Sequence, residues 1–373
     1  MATVTYQSSN SGSLLCVDHA ENLIAAGGEN GAVNLWDSAT QQLLHQYVPD
    51  DSDDDCTSLR FTKDSSLLFA AFNKKICQFD KRTFLTPVET HHYNIEEINQ
   101  LNINDKETLL ASCDDSGETK IFSLQERKVI KTLRYKHSNI CSTVVFRPNH
   151  QWEVMTAGLD CKLIHWYFAK PKVMNEINMQ ELLGENIDEA QILNPPLIHH
   201  INFSPNGFFL ACALENGIVK VFDSNRKHLR DRFSLRGHNQ GVSQVDFLSN
   251  RFMVSGGNDK QIIVWDLEKL GGSGEGANGA GVVQPQQLNG HMTNGQGSAH
   301  GNTAHEGVSV NGDDDDDDDV DDSHNNNTAD CKVFTTLLSN KVNWLKPVAI
   351  SNQYYILVAD ESTKLSRITI DGL

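Results

Sequence analysis

No apolar run in this 373-residue chain approaches the ~20 residues that a bilayer helix needs, and residues 1–9 are polar, without the apolar core of a secretory leader. A helical membrane span is therefore excluded, and an intracellular setting, cytoplasmic or nuclear, is expected. Basic clusters are missing as well. Lys and Arg are scattered along the chain, so nucleic acid, which is gripped through grouped cations, is not an expected direct partner. The eight cysteines include no C-x-x-C pair, and the nearest two, Cys141 and Cys161, are 20 apart; they read as reduced, buried fillers rather than zinc ligands. Also absent are the phosphate-cradling G-x-x-x-x-G-K-[ST], the G-x-S-x-G elbow and H-E-x-x-H. The pairs His91-His92 and His199-His200 fall in or beside predicted strands, where neighbours point to opposite faces and cannot share one metal. No catalytic residue, cofactor or metal is expected.

What is present is unevenly placed. The formal net charge is −18, yet residues 271–330 hold 12 acids and no Lys or Arg, leaving 37 acids against 31 bases elsewhere, or −6. The same block has 12 of the 26 glycines and the run Asp313 to Asp319. Such a composition cannot bury enough apolar area to offset its ordering entropy, so a disordered, self-repelling acidic insertion is expected. The Asp run lacks the Gly and closing Glu of a calcium loop.

Internal repetition sets the architecture. A small or apolar residue, a polar turn, alternating apolar residues and then an aromatic recur in AAGGENGAVNLWD (25–37), FAAFNKKICQFD (69–80), ASCDDSGETKIFS (111–123), MTAGLDCKLIHWY (155–167), ACALENGIVKVFD (211–223) and VSGGNDKQIIVWD (254–266). The aromatics Trp36, Phe79, Phe122, Trp166, Phe222 and Trp265 are spaced by 43, 43, 44, 56 and 43; a weaker copy, VADESTKLSRIT (358–369), puts Ile368 in that slot. The excess spacings coincide with the acidic stretch 175–193 and with block 271–330. Six residues before each slot stand Asn30, Asn73, Ser116, Asp160, Asn216, Asp259 and Ser362, types that bond their own backbone in tight turns and, for Asn and Asp, tolerate left-handed backbone.

A period near 43 with Trp-Asp endings resembles the WD-repeat family across almost the whole chain. The resemblance implies an all-β, seven-bladed propeller of four-stranded blades. Residues 342–350, 354–360 and 364–370 supply three strands of blade seven, and the alternating Val4-Thr5-Tyr6 supplies its fourth, closing a single propeller over 1–373. Residues 332–338 read as the outer strand of blade six, which places 271–330 within that blade; residues 172–179 read as the outer strand of blade four, with the acidic insertion following.

The resemblance also implies buried hydrogen-bonded tetrads. His238, Ser255, Asp259 and Trp265 stand at the family's His–Ser/Thr–Asp–Trp offsets, and His137, Thr156, Asp160 and Trp166 repeat them with nearly the same spacing. A Ser–His–Asp triad is the competing reading of one set alone; its recurrence with a Trp in series favours structure.

Functionally the resemblance implies a scaffold that binds other proteins, as a monomer. Many WD-repeat substrate receptors of cullin-4 ubiquitin ligases carry a sixteen-residue box ending in Trp-Asp-x-Arg, whose Arg contacts the ligase adaptor. Residues 67–82, LLFAAFNKKICQFDKR, keep Leu67, Leu68, Ala70, Ala71, Ile76, Asp80 and Arg82 and depart at Phe69, Asn73, Gln78 and Phe79. Blade six, MVSGGNDKQIIVWDLE, fits the box better but ends in Glu268. Asp80 and Arg82 are thus the candidate partner-binding pair. The alternatives are an assembly scaffold with no ligase link, or a propeller enzyme. The latter needs convergent groups in the channel, where Asp18, Arg60 and Asp246 look scattered along the predicted inner strands.

Overall fold

A computed structural model describes residues 3–8, 12–49, 54–182, 194–225, 228–270, 331–350 and 353–373. The described residues belong to one compact unit. The expected disordered insertion 271–330, and residues 183–193 of the expected acidic insertion, lie outside the described residues.

This unit is an all-β propeller of seven four-stranded antiparallel sheets. The inner strands are Leu14–Ala20, Cys56–Phe61, Ile98–Ile103, Cys141–Phe146, Ile198–Phe203, Val242–Phe247 and Val342–Ile350. Each packs against the next, and the seventh against the first, so the ring is closed. Six blades are built from consecutive strands. In the seventh, Thr3–Tyr6 forms the outer strand, with Thr3 opposite Ile368 and Tyr6 opposite Leu365. Tyr6 is buried there: its ring meets Trp36 edge-on at 5.9 Å, its hydroxyl donates to the Ser38 carbonyl, and Arg367 donates to both oxygens. With Thr3–Tyr6 on one side and Gln353–Asp360 on the other, the third strand Leu365–Ile370 is paired along both edges.

The alternating sequence of each repeat becomes a strand with two buried faces, because blades stack on both sides. The slot residues Trp36, Phe79, Phe122, Trp166, Phe222, Trp265 and Ile368 are all buried on third strands. The turns before them differ in detail from expectation. Left-handed backbone falls at both Asn30 and Gly31 in blade one and at Asn73 in blade two, but only at the next residue, Gly117, Cys161, Gly217 and Lys260, in blades three to six. The reason is that Asp160, Asn216 and Asp259 use their side-chain oxygens to accept the N–H two residues on, from Lys162, Ile218 and Gln261. That bond holds the polar residue in place and passes the positive φ to its successor. The outer strand of blade four ends at Asn178, where a helical turn, Met179–Leu182, takes over. All eight cysteines are free and buried.

Candidate functional site: blade junctions, channel mouth and bottom face

The tetrad residues meet in the folded chain. In blade six, His238 Nδ1 lies 2.9 Å from Asp259 Oδ1 and Nε2 2.8 Å from Ser255 Oγ, which also accepts the Trp265 indole N–H at 2.8 Å. In blade four, His137 Nδ1 is 3.1 Å from both Asp160 oxygens, Nε2 is 2.8 Å from Thr156 Oγ1, and Trp166 donates to that hydroxyl at 2.9 Å. A carboxylate only accepts, so each Nδ1 carries a proton. Burial opposes ionisation of Asp160 and Asp259, but the imidazoles and the backbone N–H groups of Ser138 and Asn239 outweigh it and hold both carboxyls below the ordinary range. Ser255 and Thr156 are 0% exposed, so no substrate can approach either hydroxyl. These side chains join strands.

Blade three contains a variant that the sequence reading missed. Ser112 donates to Asn94 Oδ1 at 2.8 Å, and Asn94 Nδ2 donates to Asp114 at 2.9 Å, with Ser116, in the usual Asp position, donating to the same carboxylate. Asn replaces His, and the acid has moved two residues upstream. The spacing Asn94–Ser112 lies between those of the other two sets and was the available signal.

Around the channel, the inner strands are bonded blade to blade by side chains. The second residue of one inner strand donates to the first carbonyl of the next: Thr57 to Ile98 at 2.5 Å, Asn99 to Cys141 at 3.1 Å, Ser142 to Ile198 at 2.5 Å, Ser243 to Val342 at 2.6 Å and Asn343 to Leu14 at 2.8 Å. Between blades one and two the Cys16 thiol takes this part toward the Cys56 carbonyl at 3.2 Å. Between blades five and six, His200 Nδ1–H donates to the Val245 carbonyl at 2.9 Å, leaving Nε2 to accept from Gln100 across the channel at 2.9 Å. Burial, reinforced by the positive charge of Arg60, pushes this imidazole down to about 3, so His200 is neutral at pH 7. These bonds occupy backbone groups that an edge strand facing a channel would otherwise leave open.

The fifth residues of the inner strands gather at the bottom end, where those strands finish and where the third strands lead to the outer ones. This corrects the sequence reading of Asp18, Arg60 and Asp246 as scattered: ring closure sets them around one cavity of about 250 Å³, together with Asn102, Asn202 and Lys346. They look unrelated in sequence because each belongs to a different repeat. Lys346 Nζ is shared between Asp18 at 3.5 Å and Asp246 at 3.8 Å. Asp18 accepts the Phe61 N–H and Asp246 the Asn202 amide, at 2.8 and 2.7 Å. Burial, with the Asp18 charge adding to it, leaves the Asp246 carboxyl above its ordinary value although Lys346 opposes this. The Arg60 guanidinium stacks over Trp344, 5.3 Å from the ring centroid.

Asp80 and Arg82 lie on the same bottom end, at and just beyond the end of the third strand of blade two, Lys75–Asp80. Arg82 Nε and a terminal nitrogen fork onto the Asp80 carboxylate at 2.9 and 2.5 Å, and these hydrogen bonds bring the carboxyl down to about 2. The Arg82 side chain is 81% exposed and is not among the residues lining the channel mouth. In blade six the corresponding end is different in kind: Asp266 is buried and forked by Arg251, which also pairs with Glu268 at 3.1 Å.

Among the described residues no group of three or more His, Cys, Asp or Glu could hold a metal ion, and no helix is long and apolar enough to cross a membrane.

The fold and its tetrads define a WD-repeat propeller, and comparison with known proteins agrees: the family described as "WD domain, G-beta repeat" matches residues 230–266. The chain is 30% identical over 279 residues, 69% of its length and 76% of the relative's, to "WD repeat-containing protein 53 homolog" of Dictyostelium discoideum, and it belongs to the WD-repeat family. It is also 24% identical over 198 residues to "Histone acetyltransferase type B subunit 2" and 29% identical over 102 residues to "Protein transport protein SEC31", both of Candida glabrata. The matches span 46% and 8% of those two relatives. WD-repeat propellers serve in general as non-enzymatic scaffolds that bind other proteins.

Proposed function

We propose that this scaffold is a substrate receptor of a cullin-4 ubiquitin ligase, with Arg82 on the bottom face of blade two meeting the ligase adaptor. The observation that supports this is the exposed Arg82 guanidinium, steadied by Asp80 at the end of a sixteen-residue segment patterned like the receptor box. A planar fork of donors suits a carboxylate or several carbonyls, and Asp80 occupies only one side of it. Blade six offers no equivalent, since Glu268 there reverses the charge and is tied to Arg251. The test is affinity purification with mass spectrometry. Wild type should recover the adaptor, and Arg82→Glu should abolish recovery with an unchanged melting temperature. Equal recovery by the variant, or none by wild type, would leave an assembly scaffold without the ligase link.

A further inference from the structure

We propose that the bottom mouth of the channel binds a carboxylate group, carried by an acidic side chain or a C-terminus of a partner peptide, with Arg60 as its principal contact. The site is separate from the Arg82 contact and does not depend on it.

Most of the charges in the cavity are already satisfied. Asp18 and Asp246 share Lys346 and accept further N–H donors. Asp105 accepts the Asn149 N–H, and Glu107 accepts that of Lys63, whose ammonium donates to the Asp105 carbonyl. Arg60 differs. Among the described residues its guanidinium makes no ion pair and one hydrogen bond, from a terminal nitrogen to the Leu59 carbonyl at 3.0 Å. The remaining donors of a five-donor fork have no acceptor there. The stack on Trp344 fixes the plane of the fork, so little freedom is lost when an anion docks. A second donor points to the same ligand. His19 Nε2 is buried without a hydrogen-bond partner, and His19 lines the same cavity. An orphaned buried nitrogen and an unfilled fork among the residues lining one cavity are what an absent oxyanion would satisfy.

The acids around the cavity choose between oxyanions. Asp18, Asp246, Asp105 and Glu107 all line it, against Arg60, Lys63 and Lys346. A dianionic phosphate would meet this acidic surplus at double charge, whereas a carboxylate meets it once and matches the fork in shape. A volume of about 250 Å³ admits a side chain or terminus rather than a folded element.

Saturation-transfer NMR on the full chain tests this, with four probes: N-acetyl-Asp-amide, N-acetyl-Gly-Gly with a free carboxyl, N-acetyl-Asn-amide and inorganic phosphate. One or both carboxylates should bind, the Asn amide should not, and the stronger carboxylate tells a side chain from a terminus. Arg60→Gln should weaken that binding at least about tenfold. Should Arg60→Gln fail to fold, Arg60→Lys keeps the charge but loses the fork, and a clear loss of affinity is still expected. The proposal is overturned if wild type binds neither carboxylate at about 10 mM, if the Asn amide binds as well, if phosphate binds more tightly, or if the folded Arg60 variant binds undiminished.

Discussion

Blades two and six solve one packing problem in two ways. Each must bury the residue at the end of its third strand against the neighbouring blade. Blade six does so with Trp265, whose N–H begins the relay through Ser255 and His238 to Asp259. Blade two has no such chain. Phe79 is equally buried but stacks on Phe84 at 5.1 Å and meets Tyr47 edge-on at 4.9 Å, with Tyr47 also against Phe72 at 5.8 Å. An indole brings a donor that must be satisfied and therefore needs a hydroxyl beneath it; a phenyl ring brings none and needs only neighbours. At the position equivalent to Ser255, blade two accordingly has Phe69, which is also buried. Blade three stands between the two, keeping a shortened polar set under Phe122 while His91 and Tyr93 pack on that ring.

The contrast is sharpest where a ring is removed. Phe79→Ala should destabilise the propeller by about 3–5 kcal/mol, because a tight aromatic cluster cannot collapse into the space left. Chemical denaturation would measure it, and a loss under about 1 kcal/mol would mean that blade two is loosely packed. Asp259→Ala should cost somewhat less, about 2–4 kcal/mol, by orphaning His238 and the N–H groups of Asn239 and Gln261. A thermal melt matching wild type would remove the relay from the account of blade six.

Acid offers a gentler way to separate the two designs. The folded carboxyls of Asp160 and Asp259 sit below the ordinary value of 3.8, so their contribution is complete above that pH and is lost as pH falls through the depressed values. Neutral His200, pushed down to about 3 from 6.5, adds a loss that begins higher, as the unfolded chain takes up a proton below 6.5 that the folded chain refuses. Phe79 and the Phe72 and Phe84 rings of its cluster carry nothing to titrate. Below about pH 4, melting temperatures should therefore fall less steeply for Asp160→Asn/Asp259→Asn than for wild type, while a conservative change at Phe79 leaves the slope alone. Parallel slopes for wild type and the double variant would show that the tetrads do not govern acid stability.

The sequence by itself determined the propeller. A repeat of fixed length, with a turn residue six positions before an aromatic, names its own strands, since alternation gives the strand faces and the period gives the blade. The tetrads were legible for the same reason, because their members sit within one repeat at nearly constant offsets. Val4-Thr5-Tyr6 could be assigned to blade seven because three strands there lacked a fourth. What only the tertiary structure decided is whatever depends on going around the ring. Asp18, Arg60, Asp246 and Lys346 come from four repeats and differ in residue type at one strand position, and only the convergence of seven inner strands on one axis places them at a single mouth. In blades four to six the expected bond from the turn residue's side chain to its own backbone formed, and the structure decided that the next residue takes the left-handed conformation. Offsets along a chain record contacts within a blade; contacts between blades depend on closure, which places residues side by side whatever their separation in sequence.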